Sequence, residues 1–137
     1  MKILIDTNIV LDIMLAREPF LEPAKELIRM IDRDRIQAYI TANSITDIVY
    51  ISRKVRTLRE IQQLILDLLD MIDVIGVDRE DIVAAFDFGF NDFEDALQSR
   101  CAIKEDIDYI VTRNKKDFSK SKVTAVDIAA FLAEHNK

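Results

Sequence analysis

The chain has 137 residues, of which 50% are hydrophobic and 32% are charged, so it can bury a core and is not disordered. Two glycines and two prolines are too few for most all-β folds, and a single cysteine excludes an intrachain disulfide and a cysteine-based zinc site. The sequence shows no secretory leader pattern and no apolar run of about 18 residues. We therefore expect one domain over residues 1–137 that is soluble and cytoplasmic, with no membrane contact.

The net charge of −6 argues against general binding of duplex nucleic acid, because neutralising phosphates requires a basic surface. This argument fails if several carboxylates converge on divalent cations, since bound metal reverses the sign of the site. The positions of the acidic residues therefore decide which substrates are acceptable.

The predicted elements alternate between strands and helices along the chain. In order, we predict a strand at Lys2–Ile5, a helix at Ile9–Leu15, a helix from Pro23 to about Arg33, a strand at Gln37–Ala42 and a helix from Ser44 to about Val55. There follow a helix opened by a capping box at Thr57–Glu60, a strand at Ile72–Val77, a helix at Asp78–Phe86, a helix from Asn91 to about Lys104, strands at Tyr109–Val111 and Val123–Ala125, and a last helix capped by Asp127. Strands that are apolar on both faces and alternate with helices predict an α/β fold, a three-layer α/β/α sandwich with a central parallel sheet.

Acidic side chains follow the strands of this predicted sheet. The strands of a parallel sheet all end at one edge, where ligands bind. Asp6 follows the first strand, Asp47 lies in the first turn of the helix after the second, Asp92 and Asp95 open the helix that leads into the fourth, and Asn114 and Asp117 follow the fourth. The topology therefore brings acids from four remote segments to the same edge.

Crowded carboxylates raise one another's pKa and are usually neutralised by a hard divalent cation such as Mg²⁺ or Mn²⁺. Such a cation lowers the pKa of water and shields a phosphodiester, so the chemistry requires no histidine base. The only histidine of the chain is His135, close to the C-terminus. The acids therefore predict a metal-dependent reaction on a phosphate ester.

Each acid also has a purely structural interpretation. Asp6 can cap a turn, Asp47 can close a capping box with Ser44, Asp92 can be the N-cap of its helix with Asp95 as third residue of the box, Asp117 can be a surface acid in a lysine-rich loop, and Asp12 is explained as part of a solvated polar face. These interpretations stay open at the level of sequence.

Basic and aromatic residues flank the acids. The basic stretches contain Arg53, Lys54, Arg56 and Arg59, and then Lys115, Lys116, Lys120 and Lys122. They are either solvated faces or supports for a nucleic-acid backbone. The phenylalanines before Asp95 are Phe86, Phe88, Phe90 and Phe93, which are either core and dimer surface or a platform for stacking bases.

Three segments resemble the motifs of one known family, in the correct order. Leu4–Asn8 followed by Leu11–Asp12 is similar to the opening signature of the PIN domain, a metal-dependent ribonuclease fold. Asp92–Gln98 resembles its central helix motif, and Tyr109–Phe118 resembles its closing T-R-N-x-x-D-F segment. The resemblance extends over residues 1 to about 132, nearly the whole chain.

The resemblance implies an endoribonuclease that uses Mg²⁺ or Mn²⁺ to cut single-stranded or structured RNA. Its catalytic acids would be Asp6, Asp47, Asp95 and Asp117, and by position Asp92 joins Asp6, Asp95 and Asp117 as a metal ligand. Thr7, Asn8, Thr112 and Asn114 would orient the ligands or the phosphate. Many small members are the toxin of a VapBC-type toxin–antitoxin pair and form homodimers, so the resemblance implies a cognate antitoxin and a second copy as partners.

Two positions depart from the family pattern. Asp47 stands where these toxins usually have glutamate, and Asn114 stands where many members have aspartate. These departures motivate an alternative function, a catalytically weak or silent PIN-like module that binds RNA or protein. A phosphoacceptor receiver domain is a third alternative, but that class requires a second acid next to Asp6, where Thr7 stands.

Overall fold

The computed structural model describes residues 1–34 and 36–135. Its described strands form one sheet in the order β3-β2-β1-β4-β5. The strands are β1 Lys2–Ile5, β2 Gln37–Thr41, β3 Ile72–Ile75, β4 Tyr109–Thr112 and β5 Thr124–Asp127. Every neighbouring pair is parallel, and Leu4 in the central strand lies opposite Tyr39 and Ile110. All the carboxyl ends therefore face the same edge of the sheet.

Helices cover both faces of this sheet. They are α1 Thr7–Met14, α2 Leu21–Asp34, α3 Ala42–Ser52, α4 Leu58–Leu69, α5 Arg79–Phe86, α6 Phe93–Lys104, the short 3₁₀ helix η1 Lys115–Phe118 and α7 Ile128–His135. Alternation along β1 divides the core, because Ile3 and Ile5 pack under α1 to α4 and α7, whereas Leu4 packs under α6. The predicted three-layer α/β/α fold is confirmed.

Most predicted elements are present, with shifted ends. The capping box of Thr57 and Glu60 opens α4 as predicted, and Asp78 and Asp81 form a second box that opens α5. Helix α1 begins at Thr7 immediately after the strand, α3 begins at Ala42 rather than at Ser44, and Asp127 is the last residue of β5. The 3₁₀ helix was not predicted, since a single turn has no periodic signal. Within residues 1–34 and 36–135, no helix is long and apolar enough to span a membrane.

Candidate active site

A cavity of about 300 Å³ opens at the carboxyl edge of the sheet. Its lining consists of Asp6, Thr7, Asn8, Leu11, Asp47, Ile51, Asp92, Glu94, Asp95 and Asp117. Six of these ten residues are carboxylic acids, and they come from the β1–α1 junction, α3, the start of α6 and η1. We call this space the acid cavity.

Asp6 is the most buried acid of the cavity, with only 3% of its surface exposed. Thr112 Oγ1 donates a hydrogen bond of 2.8 Å to Asp6 Oδ2, and Gln98 Nε2 donates one of 3.2 Å to Oδ1. Burial raises the pKa of Asp6, and the bonds from Thr112 and Gln98 act in the opposite direction. Thr112 also accepts from the backbone N–H of Asn114, so one hydroxyl joins Asp6 to the β4–η1 turn.

The structural alternative for Asp47, a capping box with Ser44, is wrong. Ser44 lies inside α3, and its hydroxyl is hydrogen-bonded to Thr7 Oγ1 at 2.6 Å and to Thr41 Oγ1 at 2.7 Å. Asp47 lies about one turn further along α3 and lines the acid cavity.

Asp92 occupies both positions that the sequence allowed for it, the N-cap of α6 and the wall of the acid cavity. Its Oδ1 accepts a hydrogen bond of 3.1 Å from the backbone N–H of Asp95, which makes it the N-cap of α6. It also lines the acid cavity beside Asp95. Capping therefore does not remove this carboxylate from the site.

Glu94 belongs to the acid cavity and was not among the predicted site residues. Burial and a hydrogen bond with Asp47 raise the pKa of Glu94 to about 7. The sequence did contain a signal, since Asp92, Glu94 and Asp95 together place three acids at one helix start. Glutamate is thus present in the cavity, but it comes from α6 and not from α3.

Gln98 is a second residue that the sequence interpretation missed. It lies one helical turn beyond Glu94 and is fully buried. Its neighbours on α6, Leu97 and Cys101, are buried and apolar. Its Oε1 has no hydrogen-bond partner among the described residues. A polar side chain on the apolar side of a helix indicates a buried polar contact. The sequence does not show, however, that the partner of Gln98 is Asp6, 92 residues away.

The remaining predicted residues are divided between two cavities. Thr7, Asn8 and Asp117 line the acid cavity, whereas Asn114 lines a neighbouring cavity and not this one. The expectation that Asp12 belongs to a solvated face is wrong, because it is 1% exposed. Arg113 donates to both of its carboxylate oxygens, at 2.8 Å and 3.2 Å, so Asp12 fastens α1 to the β4–η1 turn.

The atoms of the acid cavity that can bind a metal ion are all oxygen atoms, which are the ligands that Mg²⁺ and Mn²⁺ prefer. In the part of the chain that the structure describes, no three acidic, histidine or cysteine side chains stand close enough together to hold a metal ion as they are. Asp6, Asp47, Asp92, Glu94, Asp95 and Asp117 are the residues that could supply ligands. The main chain thus brings these acids to one cavity.

The crowding of the acids makes a prediction about pH. Burial and the charges of Asp92, Asp6, Asp117 and Glu94 raise the pKa of Asp95 to about 7, from the ordinary 3.8. Between these values the folded protein keeps a proton that the unfolded chain has lost, so raising the pH favours unfolding. In EDTA we expect the free energy of unfolding to fall by about 1–2 kcal/mol from pH 5 to pH 8, a figure reduced because the site is half exposed.

Denaturant titrations at the two pH values measure this fall. Asp95→Asn should remove most of it, and Asp70→Asn, an exposed acid outside the cavity, should leave it intact. Stability that stays level or rises across this range would show that the acids do not repel one another.

Solved structures of similar fold include proteins of toxin–antitoxin systems. VapBC2 from Rickettsia felis, bound to a DNA fragment from its promoter, matches with a TM-score of 0.72 and 15% identity over 93% of this chain and 98% of that chain. A toxin–antitoxin complex from Klebsiella pneumoniae matches with a TM-score of 0.68 and 19% identity, over 91% and 96%. VapC20 of Mycobacterium tuberculosis, a toxin that cleaves the Sarcin-Ricin loop, matches with a TM-score of 0.64 and 14% identity, over 79% and 86%. At these identities the likeness concerns the fold alone.

The sequence itself identifies the family. No curated protein matches the chain at a significant level. The sequence model of the PIN domain, however, matches residues 2–116, which include Asp6, Asp47 and Asp95. By this match and by its fold, the chain belongs to the PIN domain family.

Proposed function

We propose that this protein is a metal-dependent endoribonuclease that hydrolyses phosphodiester bonds of RNA, and that it is the toxin of a toxin–antitoxin pair. One observation carries the proposal: six carboxylic acids line a single cavity at the sheet edge of a PIN domain. PIN domains are a family of nucleases, and a protein of similar fold cleaves the Sarcin-Ricin loop. RNA is therefore the substrate class that best suits the site.

The chemistry of the cavity supports a divalent cation as cofactor. Glu94 and Asp95 both have their pKa raised to about 7, because burial and the neighbouring acids penalise their charged forms. The neighbouring carboxyl group of Asp47 contributes to the raised pKa of Glu94, after burial. A cation among the same oxygen atoms would relieve the same repulsion.

Asp6, Asp95 and Asp117 would hold this cation, with Asp47, Glu94 and Asp92 around them. When bound, Mg²⁺ or Mn²⁺ lowers the pKa of water and neutralises the charge that develops on the phosphate. Thr112 and Gln98 fix the carboxylate of Asp6 from both sides, so it does not have to be ordered again when ligands arrive. Thr7 and Asn8 place a hydroxyl and an amide on the wall of the cavity, where they can orient a phosphate oxygen.

The role of Gln98 as a positioning residue gives a prediction. Gln98→Met removes the donor to Asp6 Oδ1 and also the unpartnered Oε1, so the two effects on stability should nearly cancel. We expect the affinity for Mn²⁺, measured by calorimetry, to fall about tenfold, the typical effect of losing a partner that orients a ligand.

The matched control is Gln63→Met, which changes an exposed glutamine on α4. A Gln98→Met protein that unfolds more easily and binds Mn²⁺ as tightly as the wild type would assign Gln98 to the core alone.

Cleavage of RNA by the purified protein tests the proposed function. Single-stranded RNA should be cut in Mn²⁺ or Mg²⁺ and left intact in EDTA, and single-stranded DNA of the same sequence should serve as the substrate control. A protein that binds RNA but leaves it uncut in either metal would be a silent binding module instead.

We also propose that an antitoxin covers the face beside the acid cavity. Tyr50 and Val55 are each 71% exposed and Leu58 is 59% exposed, on and after the same helix that supplies Asp47 and Ile51 to the cavity. Exposed apolar groups of this size are typical of protein interfaces. A partner bound there would block access of RNA to the acids.

A homodimer is the second assembly that we propose. Phe86 is 69% exposed and stacks on Phe93 with ring centroids 4.4 Å apart, and Val83 beside them is 58% exposed. The α5 surface is therefore apolar and suits a second copy of the chain. We expect analytical ultracentrifugation to show a dimer for the wild type and a monomer for Phe86→Ser, and a wild-type monomer would contradict the assembly.

A further inference from the structure

A second cavity, of about 870 Å³, shares Asp117 with the acid cavity. It is lined by η1, the turns on either side of it and β5, and includes Asn114, Lys115, Lys116, Ser119 and Thr124. A smaller cavity of about 110 Å³ lies between the two and is lined by Asp92, Asp95, Lys116, Asp117 and Lys120 among others. Asp117 lines all three cavities, so they meet around this residue, and we call the second and third together the lysine groove.

The cations of the lysine groove all come from one short segment, whereas its lining also includes Asp92, Asp95, Asp117 and Asp127. Residues 113–122 contain five of the 19 lysines and arginines of the chain and one acid, Asp117. Arg113 is occupied by Asp12 and by the ring of Phe20, 4.0 Å from its guanidinium carbon, and Lys120 donates to the carbonyl of Gly89. Lys115 and Lys116 are exposed, and no carboxylate among the described residues lies within ion-pair distance of either. These two ammonium groups are therefore available to a ligand.

We propose that the lysine groove binds the nucleotides next to the cleaved bond of a single-stranded RNA, on one side only. The inference rests on the proposed function, because it places the cleaved phosphate among the acids, and Asp117 is the residue that the acid cavity shares with both parts of the groove. Lys116 lines both parts of the groove, so it is placed to contact the phosphate nearest Asp117. The polar groups of Asn114, Ser119 and Thr124 suit the 2′-hydroxyl and the base edges of RNA.

The distribution of charge favours a single strand over a duplex. The chain carries a net charge of −6, and the two available lysines are adjacent in η1. Such a short basic segment can neutralise one or two phosphates of one strand but cannot follow both strands of a helix. The groove therefore selects for an unpaired segment at the site of cleavage.

Binding of a short labelled single-stranded RNA in EDTA, where no cut is made, tests the proposal by fluorescence anisotropy. We expect Lys116→Ala to weaken binding about fivefold at about 0.1 M salt and to reduce the slope of log K against log salt by about 0.7, the value for one phosphate contact. Lys122→Ala is the matched control, since it removes the same charge from the same segment but lies outside all three cavities. Its effect should be less than twofold.

Three results would overturn the proposal: equal losses for the two variants, no change for Lys116→Ala, or no binding of RNA by the wild type. An acidic peptide that needs Lys116 while RNA does not would assign the groove to a protein partner and would also overturn it. The two proposals fail separately. Binding that depends on Lys116 without any cleavage in Mn²⁺ refutes the nuclease and keeps the groove, and cleavage without dependence on Lys116 does the reverse.

Discussion

Asp95→Asn should abolish RNA cleavage while making the metal-free protein more stable. We expect the rate of cleavage in Mn²⁺ to fall at least about a hundredfold, because even the loss of a residue that only orients a metal ligand costs 10- to 100-fold. In EDTA at pH 8 the free energy of unfolding should rise by about 1 kcal/mol, since an amide is not repelled by the acids around it.

The N-cap of α6 does not depend on the side chain of Asp95. Its hydrogen bond joins the backbone N–H of Asp95 to the side chain of Asp92, so the substitution of asparagine for Asp95 leaves this bond in place. Asp73→Asn, an exposed acid on the edge strand β3, is the control for the loss of a negative charge elsewhere. Cleavage by Asp95→Asn at more than a tenth of the wild-type rate would remove Asp95 from the catalytic acids.

Asp81→Ala should cause the largest loss of stability, about 3 kcal/mol, or about 10 °C in Tm. The carboxylate of Asp81 is fully buried between α5 and α6. There it accepts a hydrogen bond of 3.0 Å from Arg100 Nε and one of 2.6 Å from Lys104 Nζ. Its Oδ2 also accepts a hydrogen bond of 3.0 Å from the backbone N–H of Asp78, which is part of the capping box that opens α5. Truncation removes all of these bonds at once.

The pH dependence of Asp81 is opposite to that of Asp95. Burial disfavours its charge, but the bonds from Lys104, Asp78 and Arg100 outweigh burial and lower the pKa to about 2 from 3.8. Its contribution is therefore complete above about pH 4 and is lost as the pH falls toward 2. Thermal unfolding of Asp81→Ala, with Glu80→Ala in the same helix turn as control, measures the loss. Equal Tm values for the two variants would contradict this account of the α5–α6 contact.

The strands and the convergence of the acids were predictable from sequence for a simple reason. Lys2–Ile5 is apolar and β-branched and is followed at once by Asp6, so the strand and the place of its acid are both local properties. Parallel pairing then brings Asp6 and Asp117 to the same edge without any knowledge of side-chain positions. Topology was sufficient for that step.

The errors arose where contacts join residues far apart in the chain. Asp12 looked solvated because its partner Arg113 is 101 residues away. Ser44 looked like a helix cap because the hydroxyl that uses it, on Thr7, is 37 residues away. Gln98 was overlooked for the same reason, since its amide donates to Asp6, 92 residues away in the chain. Local patterns cannot show which of two hydrogen-bond partners a side chain will take.

The binding of Mn²⁺ to the wild type and to Asp95→Asn, measured by calorimetry, tests the central claim most directly. Mn²⁺ suits the purpose because carboxylate oxygens are among its preferred ligands. The account predicts binding to the wild type, binding at least about tenfold weaker to Asp95→Asn, and unchanged binding to Asp73→Asn. A wild-type protein that binds no Mn²⁺, or an Asp95→Asn protein that binds it equally well, would show that the six acids do not form a metal site.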